Sequence, residues 1–404
     1  MAPNDPTENA ARPILRLKPK ADAKRVRHGH PWVYIDDLVL DRRSRAIPAG
    51  QIVELQDANR APLGCAAINL TSRIGARVLD TDPDAAIDRD WIAARIAAAA
   101  AHRDTLYAAP FYRLVHAEAD GLPGVVIDRF GDAAVVQPNA AWADHRAELF
   151  ADALAALGMA HVLLSASGRA RAAEGLDETT RWLRGEVVAP LPVPMNGATY
   201  LADLTGGQKT GLFFDQRPNH AFVAGLCAGK RVLDVFSHVG GFGLAALAAG
   251  ATEALAVDGS APALALAEEG AACMGKGGSF AVRRGDAFDV MADLARDGAT
   301  FDVVVADPPA FAPAKQALGA GLRAYERVAR MAASLVVPGG YLTLCSCSHA
   351  ADVTKFQGAC VRGIGRAGRA AQLVRTGFAG PDHPVHPHLS ESGYLKALTF
   401  LVMP

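Results

Sequence analysis

Cys345 and Cys347 stand two residues apart in Tyr341-Leu342-Thr343-Leu344-Cys345-Ser346-Cys347-Ser348-His349, an apolar run that ends in small polar residues. In an extended strand that spacing directs both thiols to one face. Cys65, Cys227, Cys273 and Cys360 supply no second pair at zinc-ligand spacing, so no metal is expected. Free cysteine is commonly a core residue, and that reading stands for Cys345. For Cys347, at the mouth of a site, a nucleophile is the better reading. Such a thiolate suits methylation at carbon 5 of a pyrimidine, which is too weak a nucleophile unaided. Addition at carbon 6 makes carbon 5 enamine-like, and loss of its proton with elimination then restores the ring. Asp307 ends another apolar run, in Asp307-Pro308-Pro309-Ala310-Phe311, and can hold or protonate the base at nitrogen 3. Phe311 can stack on the base, and Lys315 is a further candidate substrate contact.

A donor site is also expected. Val232-Leu233-Asp234-Val235-Phe236 runs into Ser237-His238-Val239-Gly240-Gly241-Phe242-Gly243, where glycines allow close backbone approach to a ligand. The stretch matches neither a phosphate loop nor the strict G-x-G-x-x-G spacing, and alone a plain tight turn explains it equally well. Asp258 and Gly259 close the next strand, at an offset suited to binding ribose hydroxyls. Asp286 and Ala287 follow the third, at an adenine edge, and Asp307 follows the fourth. A single strand-end acid is often a helix cap. Four such features in this order indicate a class I S-adenosylmethionine-dependent methyltransferase, with Phe236, Ser237, Gly240, Gly241, Asp258, Gly259, Asp286, Ala287 and Asp307 as candidate cofactor contacts.

The elements that must position these residues follow from the hydrophobic pattern. From about Tyr200, strand runs at 231–236, 254–258, 280–283, 301–306 and 341–346 alternate with helical stretches, which predicts a parallel α/β sheet binding ligands at its carboxyl edge. Before it, 87–107 reads as a helix, 112–117 and 125–128 as strands, and 140–157 as a helix, forming a small α+β unit over 83–190. Pro190-Leu191-Pro192-Val193-Pro194 is expected to sustain neither sheet nor helix and to mark the boundary with a catalytic domain over 195–404. Residues 12–82 carry short β-type runs split by turns, as in a small barrel, and 1–11 read as a loose tail.

The 404 residues carry a net charge of −1, which at first disfavours a nucleic-acid partner. The balance is uneven. Residues 12–80 hold 13 Lys+Arg against 7 Asp+Glu, whereas the chain from residue 81 carries −5. A basic barrel on an acidic chain reads as an RNA-facing module, though a merely soluble barrel with a basic side fits almost as well. The two long uncharged stretches, after Asp234 and after Arg330, are interrupted by Gly240-Gly241 and by Pro338-Gly339-Gly340, so no membrane span is expected. The N-terminus has no apolar signal region, and cysteines are few, so a cytoplasmic location is expected.

The chain resembles the bacterial 23S ribosomal RNA cytosine-C5 methyltransferases that carry an N-terminal PUA domain. The resemblance rests on Arg27-His28-Gly29-His30-Pro31-Trp32-Val33, Ala117-Glu118-Ala119-Asp120-Gly121-Leu122-Pro123-Gly124 and Lys209-Thr210-Gly211-Leu212-Phe213-Phe214-Asp215-Gln216-Arg217. It extends through Phe236 to Phe242, Asp307 to Phe311, Ser346-Cys347-Ser348 and Asp382-His383-Pro384. It implies a PUA barrel, a linking α+β domain and a Rossmann-like catalytic domain, with S-adenosylmethionine as cofactor. It places the nucleophile at Cys347 and adds Phe214, Gln216 and Arg217 to the cofactor pocket, with Arg217 near the methionine carboxylate. Arg25, Arg27 and Trp32 become RNA contacts. The implied partner is 23S rRNA, naked or in pre-50S particles, and a homodimer is left open. Cys345 and the glycine-rich 270–278 depart from the family pattern.

Three rivals compete. A methyltransferase acting on a guanine nitrogen shares the D-P-P-x-F motif but needs no thiol. A non-catalytic RNA-binding protein would have lost site residues, and here the glycines, Asp258, Asp286, Asp307 and Cys347 are all present. A small-molecule methyltransferase leaves the basic barrel without a role.

Overall fold

The computed structural model describes residues 12–166, 168–206 and 211–404. The tail 1–11 and the motif residues Lys209 and Thr210 lie outside the described residues. The chain packs as two units: one holds the described residues up to Thr105, Leu114–Glu186 and His386–Leu389, the other Leu106–Arg113, Val187–Val385 and Ser390–Pro404.

The first unit opens with β1 (Ile14–Arg16), β2 (Trp32–Tyr34), β3 (Ile52–Gln56), β4 (Pro62–Ile68) and β5 (Ile74–Asp80). They form a sheet in the order β1-β3-β4-β5-β2, curled over Leu15, Leu17, Val33, Val53, Leu55 and Ile68. A second sheet, in the order β10-β9-β8-β7-β6, comprises β6 (Phe111–His116, its first three residues counted with the second unit), β7 (Val125–Phe130), β8 (Ala133–Pro138), β9 (His161–Leu164) and β10 (Arg181–Arg184). The helix expected over 87–107 spans Arg89–Leu106. The one expected over 140–157 is two, Ala141–Asp144 and Ala147–Ala156, because Arg146 leaves helical geometry at φ −113° and its guanidinium caps the Trp142 carbonyl at 3.2 Å.

Within this unit the Ala117–Gly124 motif is structural. Buried Arg103 donates to both oxygens of Asp120 at 2.6 and 2.7 Å. Glu118 accepts from the Trp32 indole at 2.8 Å and from Arg77 at 3.1 Å. Arg77 also bonds buried Glu174 at 2.9 Å, and Asn69 and Ser72 satisfy that carboxylate further.

The second unit begins with a correction. Leu191–Met195 is a strand, β11, despite Pro192 and Pro194, and pairs antiparallel with β12 (Ala198–Ala202). Prolines at alternate positions leave every missing N–H on the outer edge of a two-stranded ribbon, where no ladder bond is lost. Asn196-Gly197, both left-handed at φ +53° and +75°, close the two-residue turn.

Then come β13 (Arg231–Val235), β14 (Glu253–Asp258), β15 (Phe280–Arg284), β16 (Phe301–Ala306), β17 (Val336–Ser346), β18 (Ala371–Gly377) and β19 (Lys396–Val402). Their order is β15-β14-β13-β16-β17-β19-β18; the first five are parallel, and β19 runs antiparallel to both neighbours. The five expected strands are therefore all present. Continuous apolar runs such as Val303-Val304-Val305-Ala306 are what a sheet covered on both faces requires. Order reverses between β13 and β16, so the crevice for a ligand opens at the carboxyl ends of those two strands. No described helix is long and apolar enough to cross a membrane.

Candidate active site

The chain leaves β13 through a strained turn. Phe236 at φ +63° and His238 at φ +51° are left-handed without being glycine, and Gly240 follows at φ +80°. Such conformers cost about 1–3 kcal/mol each and persist only where surroundings hold them. Asp258, at the end of β14, does part of the holding: its carboxylate accepts the His238 N–H at 2.9 Å and the Ser260 N–H at 2.8 Å. Asp234, inside β13, accepts Phe242 N–H at 3.2 Å and Gly243 N–H at 2.8 Å, anchoring the first turn of helix Gly241–Ala248. Burial raises the Asp234 carboxyl to about 7, against the pull of those two N–H groups. Gly241 is obligatory for space, since a Cβ there would lie 2.8 Å from the imidazole of His220. That histidine is buried, which pushes its pKa down to about 3 and keeps it neutral.

Asp307 emerges from β16, and the Gln216 side-chain amide donates to its Oδ2 at 2.9 Å. Gln216 is itself fixed, its Oε1 accepting from Asn219 at 2.7 Å while Asn219 also bonds the Phe378 carbonyl at 3.1 Å. Beside it, Asp215 Oδ2 accepts the Tyr394 hydroxyl at 2.6 Å. Cys347 follows immediately after β17 and is half-buried. Its neighbours are pinned to one hydroxyl: Tyr325 OH lies 2.9 Å from Ser346 Oγ and 2.6 Å from Ser348 Oγ. The same pair reaches the Asp307 loop, where Ala312 N–H donates to Ser348 Oγ at 2.9 Å and Phe311 N–H to Tyr325 OH at 3.4 Å. Cys345 is wholly buried, and burial, reinforced by the Asp307 charge, drives its thiol well above the ordinary range.

A cavity of about 480 Å³ joins these groups. Of the candidates, Gln216, Phe236, Ser237, Gly241, Asp258, Asp307 and Cys347 line it, together with Pro308, Pro309 and Ala310. Asp215 lines it as well, within the Asp215-Gln216-Arg217 segment that the resemblance assigns to the pocket; His220, His238 and Tyr394 also line it and were not singled out from sequence. Gly240 and Gly259 adjoin lining residues without lining it themselves. Phe214 is buried in the core, and Asp286 caps helix Ala287–Arg296 by accepting Phe288 N–H at 2.9 Å. Arg217 turns elsewhere, lying 4.1 Å over the Tyr107 ring and donating to the Phe111 carbonyl at 2.7 Å. Phe311 packs on Tyr325 at 5.0 Å between centroids, and Lys315 begins a short 3-10 turn. In the first unit, Arg25 bonds His30, Arg27 pairs with Asp57, and the Trp32 indole is held by Glu118.

The arrangement joins a half-buried thiol, an oriented carboxylate and an aromatic-walled pocket rimmed by a glycine turn. The pattern of the S-adenosylmethionine-dependent methyltransferase family matches residues 118–379, and that of a PUA-like domain matches 15–81. A ribosomal RNA large subunit methyltransferase I from Shewanella amazonensis is 36% identical over 95% of this chain and 98% of its own. The protein of that name from Aeromonas salmonicida is 35% identical over 94% and 97%. A SAM-dependent methyltransferase structure from Streptococcus mutans superposes with a TM-score of 0.79 at 19% identity, over 96% of this chain and all 100% of that one. At that identity the likeness concerns the fold.

The residues fit S-adenosylmethionine. Asp258 lines the cavity at the β14 end, Phe236 and Phe242 offer apolar walls, and the Gly240-Gly241 turn lets a ligand meet backbone. Ser237 Oγ and Asp215 Oδ1 are buried with no protein partner, as polar atoms reserved for a ligand would be. The chain thus belongs to the S-adenosylmethionine-dependent methyltransferase family, within the group of the ribosomal RNA large subunit methyltransferases I.

Proposed function

We propose that this protein methylates carbon 5 of a cytosine in 23S ribosomal RNA, with Cys347 as the covalent nucleophile and Asp307 as its partner at the base. One observation carries the reading: Cys347 and Asp307 line the same cavity, and Asp307 is already oriented by Gln216. The names of the relatives supply the substrate class, large-subunit ribosomal RNA. A nitrogen methyltransferase has no use for a thiol at that place.

S-adenosylmethionine, when bound, supplies an electrophilic methyl group. The chain's own residues do the rest. Cys347 Sγ bonds to carbon 6 of the cytosine and the electron pair moves toward carbon 5, which becomes the attacking atom. Asp307, held by Gln216, stabilises the adduct by donating a carboxylic-acid proton to nitrogen 3 as carbon 6 is attacked, and takes it back on elimination. After methylation the carbon 5 proton passes to a solvent water, its electron pair re-forms the carbon 5–carbon 6 double bond as the sulfur–carbon bond breaks, and Cys347 is regenerated. Asp258 and the 236–241 turn hold the donor, with Ser237 and Asp215 as further polar contacts. The barrel over 12–82, with Arg25, Arg27 and Trp32, presents the RNA, and the 83–190 segment links it to a catalytic domain over 195–404.

The test is methylation of naked ribosomal RNA, 50S particles and tRNA with labelled S-adenosylmethionine, followed by nucleoside analysis. Label in 5-methylcytosine of 23S rRNA, absent with Cys347→Ala, supports the reading. Label in a methylated guanine, or full activity in Cys347→Ala, overturns it. RNA carrying 5-fluorocytosine should trap a covalent complex through Cys347, because the carbon 5 proton it would lose is missing.

A further inference from the structure

Lys396 is only 3% exposed, yet it carries an ammonium at the first position of β19. It faces Ser346 across the β17–β19 pair, one residue from Cys347. Its Nζ donates to the Ser348 carbonyl at 2.7 Å and to the Tyr394 carbonyl at 2.7 Å. Both partners are neutral. Asp352, the carboxylate that acts on it through space, is half-exposed and already paired with Lys355. A buried cation held by carbonyls alone is costly, and such charges are ordinarily balanced by an anion.

We propose that Lys396 is a positioning residue for the nucleophile: it holds the Ser346-Cys347-Ser348 segment by its backbone and supplies the charge that keeps Cys347 a thiolate. This rests on Cys347 being the nucleophile. The titratable groups that act on Cys347 include Cys345 on β17, Tyr325 on helix Leu318–Ser334, Tyr394 ahead of β19, Asp307, which lines the same cavity, and Lys396. The first four are neutral or anionic and oppose a thiolate; of the five, Lys396 is the cation. Burial lowers the Lys396 ammonium to about 8, while the Cys347 charge pulls the other way. Between the thiol's pKa and that of Lys396 the two stand as an ion pair, the thiol proton having passed to solvent.

The experiment is the pH profile of iodoacetamide alkylation of Cys347 in the full chain, read by mass spectrometry of its peptide. The thiolate displaces iodide, so the rate follows ionisation. In the wild type the apparent pKa should fall at least one unit below the ~8.5 of a free thiol. Lys396→Met should raise it by at least one unit and slow labelling at pH 7 several-fold, with Lys396→Arg in between. Buried Cys227 and Cys360 are internal controls, since their labelling reports unfolding. A wild-type value at or above ~8.5 overturns the proposal whatever the variants do, as does a folded Lys396→Met whose profile coincides with the wild type. Failure of the nucleophile reading is seen separately, as methylation surviving Cys347→Ala.

Discussion

Gln216 donates its side-chain N–H to Asp307 Oδ2 at 2.9 Å, across 91 residues of sequence. The bond fixes which way the carboxylate at the end of β16 faces. Asn219 sets the amide's own orientation by donating to Gln216 Oε1. Gln216→Ala should leave the cavity in place but free Asp307 to turn, lowering kcat by about 10- to 100-fold with little change in the KM for RNA, because small misplacements of a catalytic group are costly. Gln216→Glu should do at least as much harm, by setting a second carboxylate against Asp307. Steady-state methylation kinetics check both.

The two thiols should separate cleanly. Cys345 is buried with its thiol raised, so Cys345→Ala should keep at least a tenth of wild-type activity and lower stability by about 1 kcal/mol. Cys347→Ala should remove methylation while leaving thermal stability near the wild type. Tm and end-point methylation on the two proteins decide it. Equal loss in both would mean that the thiols act together.

Tyr325 joins the Ser346–Ser348 segment to the Asp307 loop through a single hydroxyl. Tyr325→Phe leaves the ring packing and strips Ser346 and Ser348 of a shared partner in a buried place. A stability loss of about 1–3 kcal/mol is expected by urea unfolding. A larger fall in kcat than in RNA affinity should accompany it. A variant as active and stable as the parent would show that the loops are held by other bonds.

Asp234 makes a pH-dependent contribution. Its folded pKa, near 7, exceeds the unfolded value of 3.8, so the folded state keeps a proton that the unfolded chain has lost. The stability it lends is full below about pH 4, declines as pH rises, and is gone above about 7. Asp234→Asn removes this titration. An amide also places an N–H where Asp234 Oδ1 has no partner, a cost of about 1–3 kcal/mol at every pH. The stability difference between variant and wild type should therefore swing in the variant's favour by on the order of 3 kcal/mol from pH 4 to 8. A flat difference across that range, measured by chemical denaturation, would contradict the raised pKa.

The basic barrel should show itself through salt. Lys24 and Arg25 are both exposed on the helix Ala23–Arg27. Replacing both by Ala should weaken RNA binding and reduce the slope of log Kd against log salt by about 1–2, at roughly 0.7–0.9 for each phosphate no longer neutralised. Filter binding of ribosomal RNA at several salt concentrations measures it. An unchanged slope would move the RNA to another face.

Much of this was visible in the chain. Parallel strands covered on both faces need continuous apolar runs, so β13 to β17 could be placed within a few residues, and the order of strand-end groups brought Asp258, Asp307 and Cys347 to one edge. Side-chain partnerships set by long-range register left no local pattern. Tyr394 reaches Asp215 over 179 residues and Lys396 reaches Ser348 over 48, and nothing near either tyrosine or lysine announces it. Asp286 illustrates a different limit. A ligand acid and a helix cap both follow a strand and precede a helix, and one carboxylate can serve as either: Asp286 Oδ1 accepts Phe288 N–H as Asp258 Oδ1 accepts Ser260 N–H. Pro192 and Pro194 misled because the hydrogen bonds they lack fall on an edge, which the Asn196-Gly197 turn defines.

The sheet order also sets a schedule. β19 is the last strand in the chain, yet it lies between β17 and β18. As the polypeptide is made, the segment with Cys347 emerges before the strand whose Lys396 side chain grips the Ser348 carbonyl. An unfinished chain therefore holds the Cys347 segment through Tyr325 and the Ala312 backbone alone, without its Lys396 anchor.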